Sequence, residues 1–298
     1  LGTTTANVIS GGKGNDLLIS SLGNDVLDGG DGVDSASYIQ ALSSVTVSLA
    51  ISGGQNTGGA GVDSLLSIEN LLGSNYADRL IGNGIANFID GGLGNDSING
   101  GGGDDTIAGG AGADVLNGED GNDTLIFDTA DTTVNGAGGT DTARLINQTA
   151  AVSLNLLAGS IEIVDASAST FNNKFDATGA SWGVTITGGN GNDTILGGSG
   201  NDLLEGGVGN DSITGGGGND VLYGDFGTTG STTQGNDTVF GVPGIKPDDC
   251  IKLVEGRLVP QFGFHNLLAG PRWFIETPIL ARSHSRQEPT STHRNRGD

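Results

Sequence analysis

Eleven aspartates of this 298-residue chain stand at matching places in a glycine-rich nine-residue unit: Asp16, Asp25, Asp34, Asp96, Asp105, Asp114, Asp123, Asp193, Asp202, Asp211 and Asp220. In the first block Gly11, Gly12 and Gly14 precede Asp16, Ser20 and Ser21 take the leading places ahead of Asp25, and Gly29, Gly30 and Gly32 precede Asp34. In the second, Gly91, Gly92 and Gly94 precede Asp96, and Gly100, Gly101 and Gly103 precede Asp105. Gly109, Gly110 and Gly112 then precede Asp114, and Gly118 and Gly121 precede Asp123. In the third, Gly188, Gly189 and Gly191 precede Asp193, and Gly197, Gly198 and Gly200 precede Asp202. Gly206, Gly207 and Gly209 precede Asp211, and Gly215, Gly216 and Gly218 precede Asp220. Glycine admits φ > 0 and so a tight turn. A carboxylate beside a turn with exposed carbonyls is a set of hard oxygen ligands, the chemistry of Ca²⁺ and not of zinc or copper. These glycines and aspartates are therefore candidate metal-site residues.

The elements that must position them follow from the repeat. From Gly91 four units run without a gap, GGLGNDSIN, GGGGDDTIA, GGAGADVLN and GEDGNDTLI. From Gly188 four more follow, GGNGNDTIL, GGSGNDLLE, GGVGNDSIT and GGGGNDVLY. A weaker set opens at Gly11, GGKGNDLLI, SSLGNDVLD and GGDGVDSAS. These units resemble the calcium-binding nonapeptide G-G-x-G-x-D-x-U-x of RTX (repeats-in-toxin), or haemolysin-type, proteins. The resemblance implies an all-β fold, a right-handed parallel β-roll or β-solenoid. Two residues after each Asp comes an apolar side chain, as in Leu18, Leu27, Ile98, Ile107, Leu116, Leu125, Ile195, Leu204, Ile213 and Leu222, with Ala36 the small exception. One inward residue per short strand suits a narrow core.

Two strands and two turns make a coil of 18 residues, so alternate repeats stack on one edge. By the resemblance, each ion sits between stacked turns and takes an Asp and backbone carbonyls. Repeat 11 then pairs with 29, 91 with 109, 100 with 118, 188 with 206 and 197 with 215, giving roughly five sandwiched Ca²⁺ ions with half-sites at the stack ends. Aspartate also forms turns with no metal. Carboxylates stacked about 4.8 Å apart repel unless a cation intervenes, however, and both unbroken runs keep Asp throughout.

Six segments are expected. Residues 1–36, 73–126 and 188–240 are RTX-like repeat blocks. Residues 37–72 are a linking segment in which Val45, Val47, Leu49 and Ile51 alternate as a half-buried strand. Residues 127–187 are degenerate solenoid coils, with alternation at Val152, Leu154 and Leu156, at Ile161 and Ile163, and at Val184 and Ile186, and with no helical periodicity. Units 73–81 and 82–90 put Tyr76 and Ile85 where a glycine belongs, and Asn87 replaces the carboxylate, so they continue the solenoid without a full metal site. Residues 241–298 differ in kind: they hold every Pro, every His (His265, His284, His293), Cys250 and eight bases against six acids. That composition reads as a disordered basic tail.

Charge and missing motifs narrow the function. Residues 1–240 carry 29 acids against Lys13, Arg79, Arg144 and Lys174, a net of −25 that excludes nucleic acid as a partner. No apolar run is long enough for a transmembrane helix, and no apolar leader marks the start at Leu1. No zinc motif or P-loop occurs. Gly179-Ala180-Ser181-Trp182-Gly183 fits the nucleophile elbow G-x-S-x-G, but a strand-like Val184-Thr185-Ile186-Thr187 follows where a helix is required. The chain is thus expected to be a non-enzymatic calcium-ion-binding module of a secreted bacterial protein, extracellular, folding on Ca²⁺ after export. The resemblance implies a type I secretion apparatus as a partner. The alternative is a fragment of a secreted protease, lipase, epimerase, toxin or adhesin whose active part lies elsewhere.

Overall fold

A computed structural model describes residues 5–224 and the backbone of 238–240. The expected tail 241–298 lies outside the described residues. Successive short strands alternate between two faces of a parallel solenoid of about 12 turns. One face is a single eleven-stranded sheet running from Leu17–Ile19 to Val221–Tyr223. The other is divided into a four-stranded sheet and two of five strands.

The register is the expected one. Val8 opposes Val26 and Ser97 opposes Val115, steps of 18 residues. Each step brings an apolar residue over its equivalent. Along the eleven-stranded sheet Leu18, Ala36, Leu71, Ile89, Ile107, Leu125, Ala143, Val164, Ile186, Leu204 and Leu222 form one buried file. The opposite faces supply Val47, Leu80, Ile98, Leu116 and Val134, and later Phe175, Ile195 and Ile213. Burying such a side chain is worth about 1.5–3 kcal/mol, and residues of the turns and lengthened coils such as Tyr38, Ile68, Leu145, Leu156 and Ile161 complete the core.

Between the blocks the coil lengthens and three local expectations change. The step from Ser35 to Asn70 spans 35 residues, because an antiparallel hairpin, Gln55–Gly58 with Gly61–Leu66, is inserted there. Gly58 (φ 74°) and Gly61 (φ 119°) let the chain reverse so tightly. The alternation at Val45–Ile51 yields a strand only over Thr46–Ser48, and Ile51 is 46% exposed. Past Ser48 the backbone is diverted by Gln55, whose Oε1 takes the Ser48 N–H and whose Nε2 donates to the Ser48 carbonyl. The alternation at Val152–Leu156 ends in one helical turn, Leu156–Gly159, because the Asn155 side chain caps it by accepting from the Ala158 N–H at 3.0 Å.

Coils approach so closely that glycine is obligatory at some turns. Gly112 has φ 149°, and the carbonyl of Gly94 occupies the space a Cβ would need. Gly53, by contrast, has open space around it. Gly112→Ala is therefore expected to destabilise by at least the roughly 1–3 kcal/mol of a forced backbone conformation, and Gly53→Ala to stay within about 0.5 kcal/mol. Thermal melts of both variants in calcium check the contrast.

Candidate metal centres

Every repeat turn but the first, that of Asp16, presents its Asp in the same way. One carboxylate oxygen accepts the backbone N–H of the equivalent residue one coil earlier. Asp34 Oδ1 takes the Asp16 N–H at 2.7 Å, Asp114 Oδ1 takes that of Asp96 at 2.7 Å, and Asp123 Oδ1 takes that of Asp105 at 2.8 Å. Asp211 and Asp220 do the same for Asp193 and Asp202. The carboxylates thus form ladders along both edges, pinned to the main chain.

The second oxygen is different. Oδ2 of Asp16, Asp34, Asp96, Asp105, Asp114, Asp123, Asp141, Asp193 and Asp220 is buried and receives no hydrogen bond. A Cβ added to Gly11 would stand 2.5 Å from Asp16 Oδ2 and 2.8 Å from the Gly29 carbonyl oxygen. The carbonyl of the next coil and the orphan carboxylate oxygen thus converge on the bare face of a glycine. The same pair meets over Gly91 (Asp96, Gly109), Gly100 (Asp105, Gly118), Gly118 (Asp123, Gly136) and Gly188 (Asp193, Gly206). A buried acceptor without a donor is costly, and an oxygen-lined hollow of this kind fits a hard cation. Among the described residues no three His, Cys, Asp or Glu side chains gather at one point. A cation held here would take its oxygens from one or two carboxylates and the main chain.

Not every named Asp has this geometry. Asp25 Oδ2 accepts from the Ser21 N–H at 3.0 Å and the Ser21 hydroxyl at 2.9 Å. Asp202 Oδ2 accepts the Gly198 N–H at 2.9 Å. In the degenerate unit at 73–81, Ser74 does for Asp78 what Ser21 does for Asp25. Asn87 accepts the Asn83 N–H and donates to the Glu69 carbonyl. Serine or amide donors thus fill the place of a cation. Conversely, Asp141 has the orphan oxygen although its unit, Gly136-Ala137-Gly138-Gly139-Thr140-Asp141, is only an echo of the repeat. One ladder ends on Asp63, which stands in repeat position in Gly58-Gly59-Ala60-Gly61-Val62-Asp63, and others end on Glu69, Asp131 and Glu162, none of them in repeat position. The signal for these is indirect: the last N–H of a ladder needs an acceptor. Ser181 of the G-x-S-x-G string is followed by the strand Thr185–Asn190, with no helix to form an elbow.

The sequence profile of the RTX calcium-binding nonapeptide repeat (4 copies) matches residues 1–36, 72–107, 90–125, 99–134, 184–204 and 196–229. These segments are RTX calcium-binding repeats. No curated protein matches the chain. The RTX matches pass over 37–71 and 135–183, where the coils lengthen. Among the described residues no helix of this RTX chain is long and apolar enough to cross a membrane.

The electrostatics of the RTX ladders point the same way. Burial pushes the Asp96 carboxyl up to about 7 against the N–H it accepts from Asp78, and the charges of Asp114, Asp78 and Asp90 add to the rise. Burial likewise raises Asp105 and Asp193 to about 6. Groups whose pKa is raised from 3.8 on folding stabilise the metal-free fold at pH below about 4, and that contribution is lost as pH climbs through 6 to 7. In EDTA the protein is therefore expected to hold more β-structure at pH 5 than at pH 8. Calcium binding should tighten over the same interval, as protons cease to compete. Circular dichroism in EDTA with calcium titrations at the two pH values tests both, and equal β content at pH 5 and 8 would refute the first.

Proposed function

We propose that this calcium-binding RTX β-roll is the folding-on-calcium module of a secreted protein, held unfolded inside the cell and ordered by Ca²⁺ outside it. One observation supports this most: buried carboxylate oxygens without donors, stacked coil on coil, in a body of net charge −25. Metal-free, such a stack meets charge repulsion, desolvation and backbone entropy with only a narrow apolar core to offset them. Ca²⁺ supplies the missing positive charge at these oxygens when bound. Because the paired turns exist only in the folded stack, binding free energy becomes folding free energy.

The residues that would hold the ions are Asp16 with the Gly29 carbonyl, Asp96 with Gly109, Asp105 with Gly118, Asp123 with Gly136 and Asp193 with Gly206. Roughly five ions follow from such pairing. Asp25 and Asp202, whose second oxygens already accept N–H or O–H donors, are weaker candidates. Extracellular calcium modules have Kd of about 10⁻⁴–10⁻³ M, above intracellular free calcium, which supports export of an unfolded chain through a secretion apparatus. Coupling between neighbouring coils makes the transition cooperative. The module carries the metal and the fold, and any activity of the parent protein resides elsewhere.

Far-UV circular dichroism of the chain in EDTA-cleared buffer, titrated with CaCl₂ and separately with MgCl₂, tests this. A cooperative coil-to-β transition in calcium alone is expected, and a chain already β-folded in EDTA and indifferent to calcium would overturn the proposal. Asp105→Asn keeps an oxygen for the Asn87 N–H while removing a buried charge. It should bind one ion fewer by calorimetry, and its metal-free fold should gain on the order of 1–3 kcal/mol.

A further inference from the structure

Two stretches outside the repeat share a tripeptide and a geometry. Ser67-Ile68-Glu69 follows the first block, and Ser160-Ile161-Glu162 follows the coils that end at Asp141. Ser67 and Ser160 have φ of 47° and 48°, a left-handed conformation that among the described residues only three other non-glycines adopt. Ile68 and Ile161 are buried in the core. Glu69 Oε2 accepts the Asp34 N–H at 2.8 Å, and Glu162 Oε2 accepts that of Asp141 at 2.8 Å. In return the Asp34 carbonyl accepts two N–H groups, Glu69 at 3.0 Å and Asn70 at 2.9 Å. The Asp141 carbonyl accepts Glu162 at 3.2 Å and Ile163 at 2.9 Å. The two turns are one device used twice.

What the device faces is an open cradle. Asp34 and Asp141 are both fully buried, and Oδ2 of each lacks a donor. Over Gly29 the oxygen that meets Asp34 Oδ2 belongs to Ser67, standing where the Gly29 carbonyl stands over Gly11 and the Gly118 carbonyl over Gly100. Over Gly136 the nearest atoms are those of Asp141, its Oδ2 among them, and Ser160 is assigned the corresponding place by analogy, because Glu162 bonds to Asp141 as Glu69 does to Asp34. We propose that the Ser-Ile-Glu turns close two further Ca²⁺ sites, with Asp34 Oδ2 and the Ser67 carbonyl as ligands of one and Asp141 Oδ2 and the Ser160 carbonyl as ligands of the other. Glu69 and Glu162 are positioning residues. Each longer side chain reaches the N–H that a repeat Asp would otherwise take and so holds the last ligating turn in register. The ladder then ends on a loaded site, and the lengthened coils beyond it fold with the block.

This inference rests on reading the ladders as calcium sites, and the test separates the two. By calorimetry and equilibrium dialysis on the full chain at saturating CaCl₂, Asp34→Asn and Asp141→Asn should each lose one ion relative to wild type. Asp25→Asn, whose parent carboxylate is already hydrogen-bonded, should lose none. Glu69→Gln, which keeps an acceptor for the Asp34 N–H, should keep the ion count and recover more of the wild-type affinity than Glu69→Ala. Anomalous difference maps from wild-type crystals grown in calcium do not depend on any variant folding. Peaks beside both Asp34 and Asp141 are expected. Peaks at Asp96 and Asp105 with none at Asp34 or Asp141, or full ion counts in both Asn variants, would overturn the inference alone. No calcium bound anywhere would overturn the reading beneath it.

Discussion

The structure depends on a carboxylate that cannot satisfy itself. In every repeat turn after the first, one oxygen of the Asp is fixed by the main chain of the neighbouring coil, and this bond sets the depth and angle of the side chain. The other oxygen is left in a buried hollow with no donor. Nonapeptide spacing, glycine turns and the 18-residue coil all serve to repeat that arrangement along two edges. The fold is therefore organised around a shortage of positive charge at these oxygens. The burial-driven rise of the Asp96, Asp105 and Asp193 carboxyls is the same shortage expressed as proton affinity.

Where the chain departs from the motif, it removes the shortage chemically. Ser21 and Ser74 bring a hydroxyl and an N–H to Asp25 and Asp78, and Asn87 replaces a charge with an amide that donates as well as accepts. Such coils keep the hydrogen-bonded ladder and the apolar file without needing a cation. The solenoid thus mixes two kinds of coil that share the ladder and the apolar file and differ in whether the second oxygen of the side chain has a donor.

Much of this was legible in the sequence because it is periodic. Within each block Leu18 and Leu27, Ile98 and Ile107, and Ile195 and Leu204 fall nine residues apart, and the period fixes both their inward direction and their register. The irregular parts were not. Nothing in the alternation of Val45 to Ile51 announces that Gln55 will bond back to Ser48, nor does the spacing of Val152 to Leu156 reveal that Asn155 will cap a turn. The difference between Asp25 or Asp202 and Asp105 is equally hidden, since it lies in whether one neighbouring N–H or hydroxyl points at Oδ2. Position in the motif identifies the candidate ligand, and only three-dimensional donor geometry tells whether its second oxygen is free.

The two faces of the solenoid differ in continuity, and this has a mechanical consequence. Hydrogen bonds between parallel coils run along the long axis, so each sheet acts as a cable in that direction. The eleven-stranded face is one uninterrupted cable, whereas the opposite face is cut into three lengths where the hairpin and the helical turn intrude. Under lengthwise tension the load falls on the continuous side. Bending concentrates at the two cuts, which open like the gaps between vertebrae while the other face serves as the hinge.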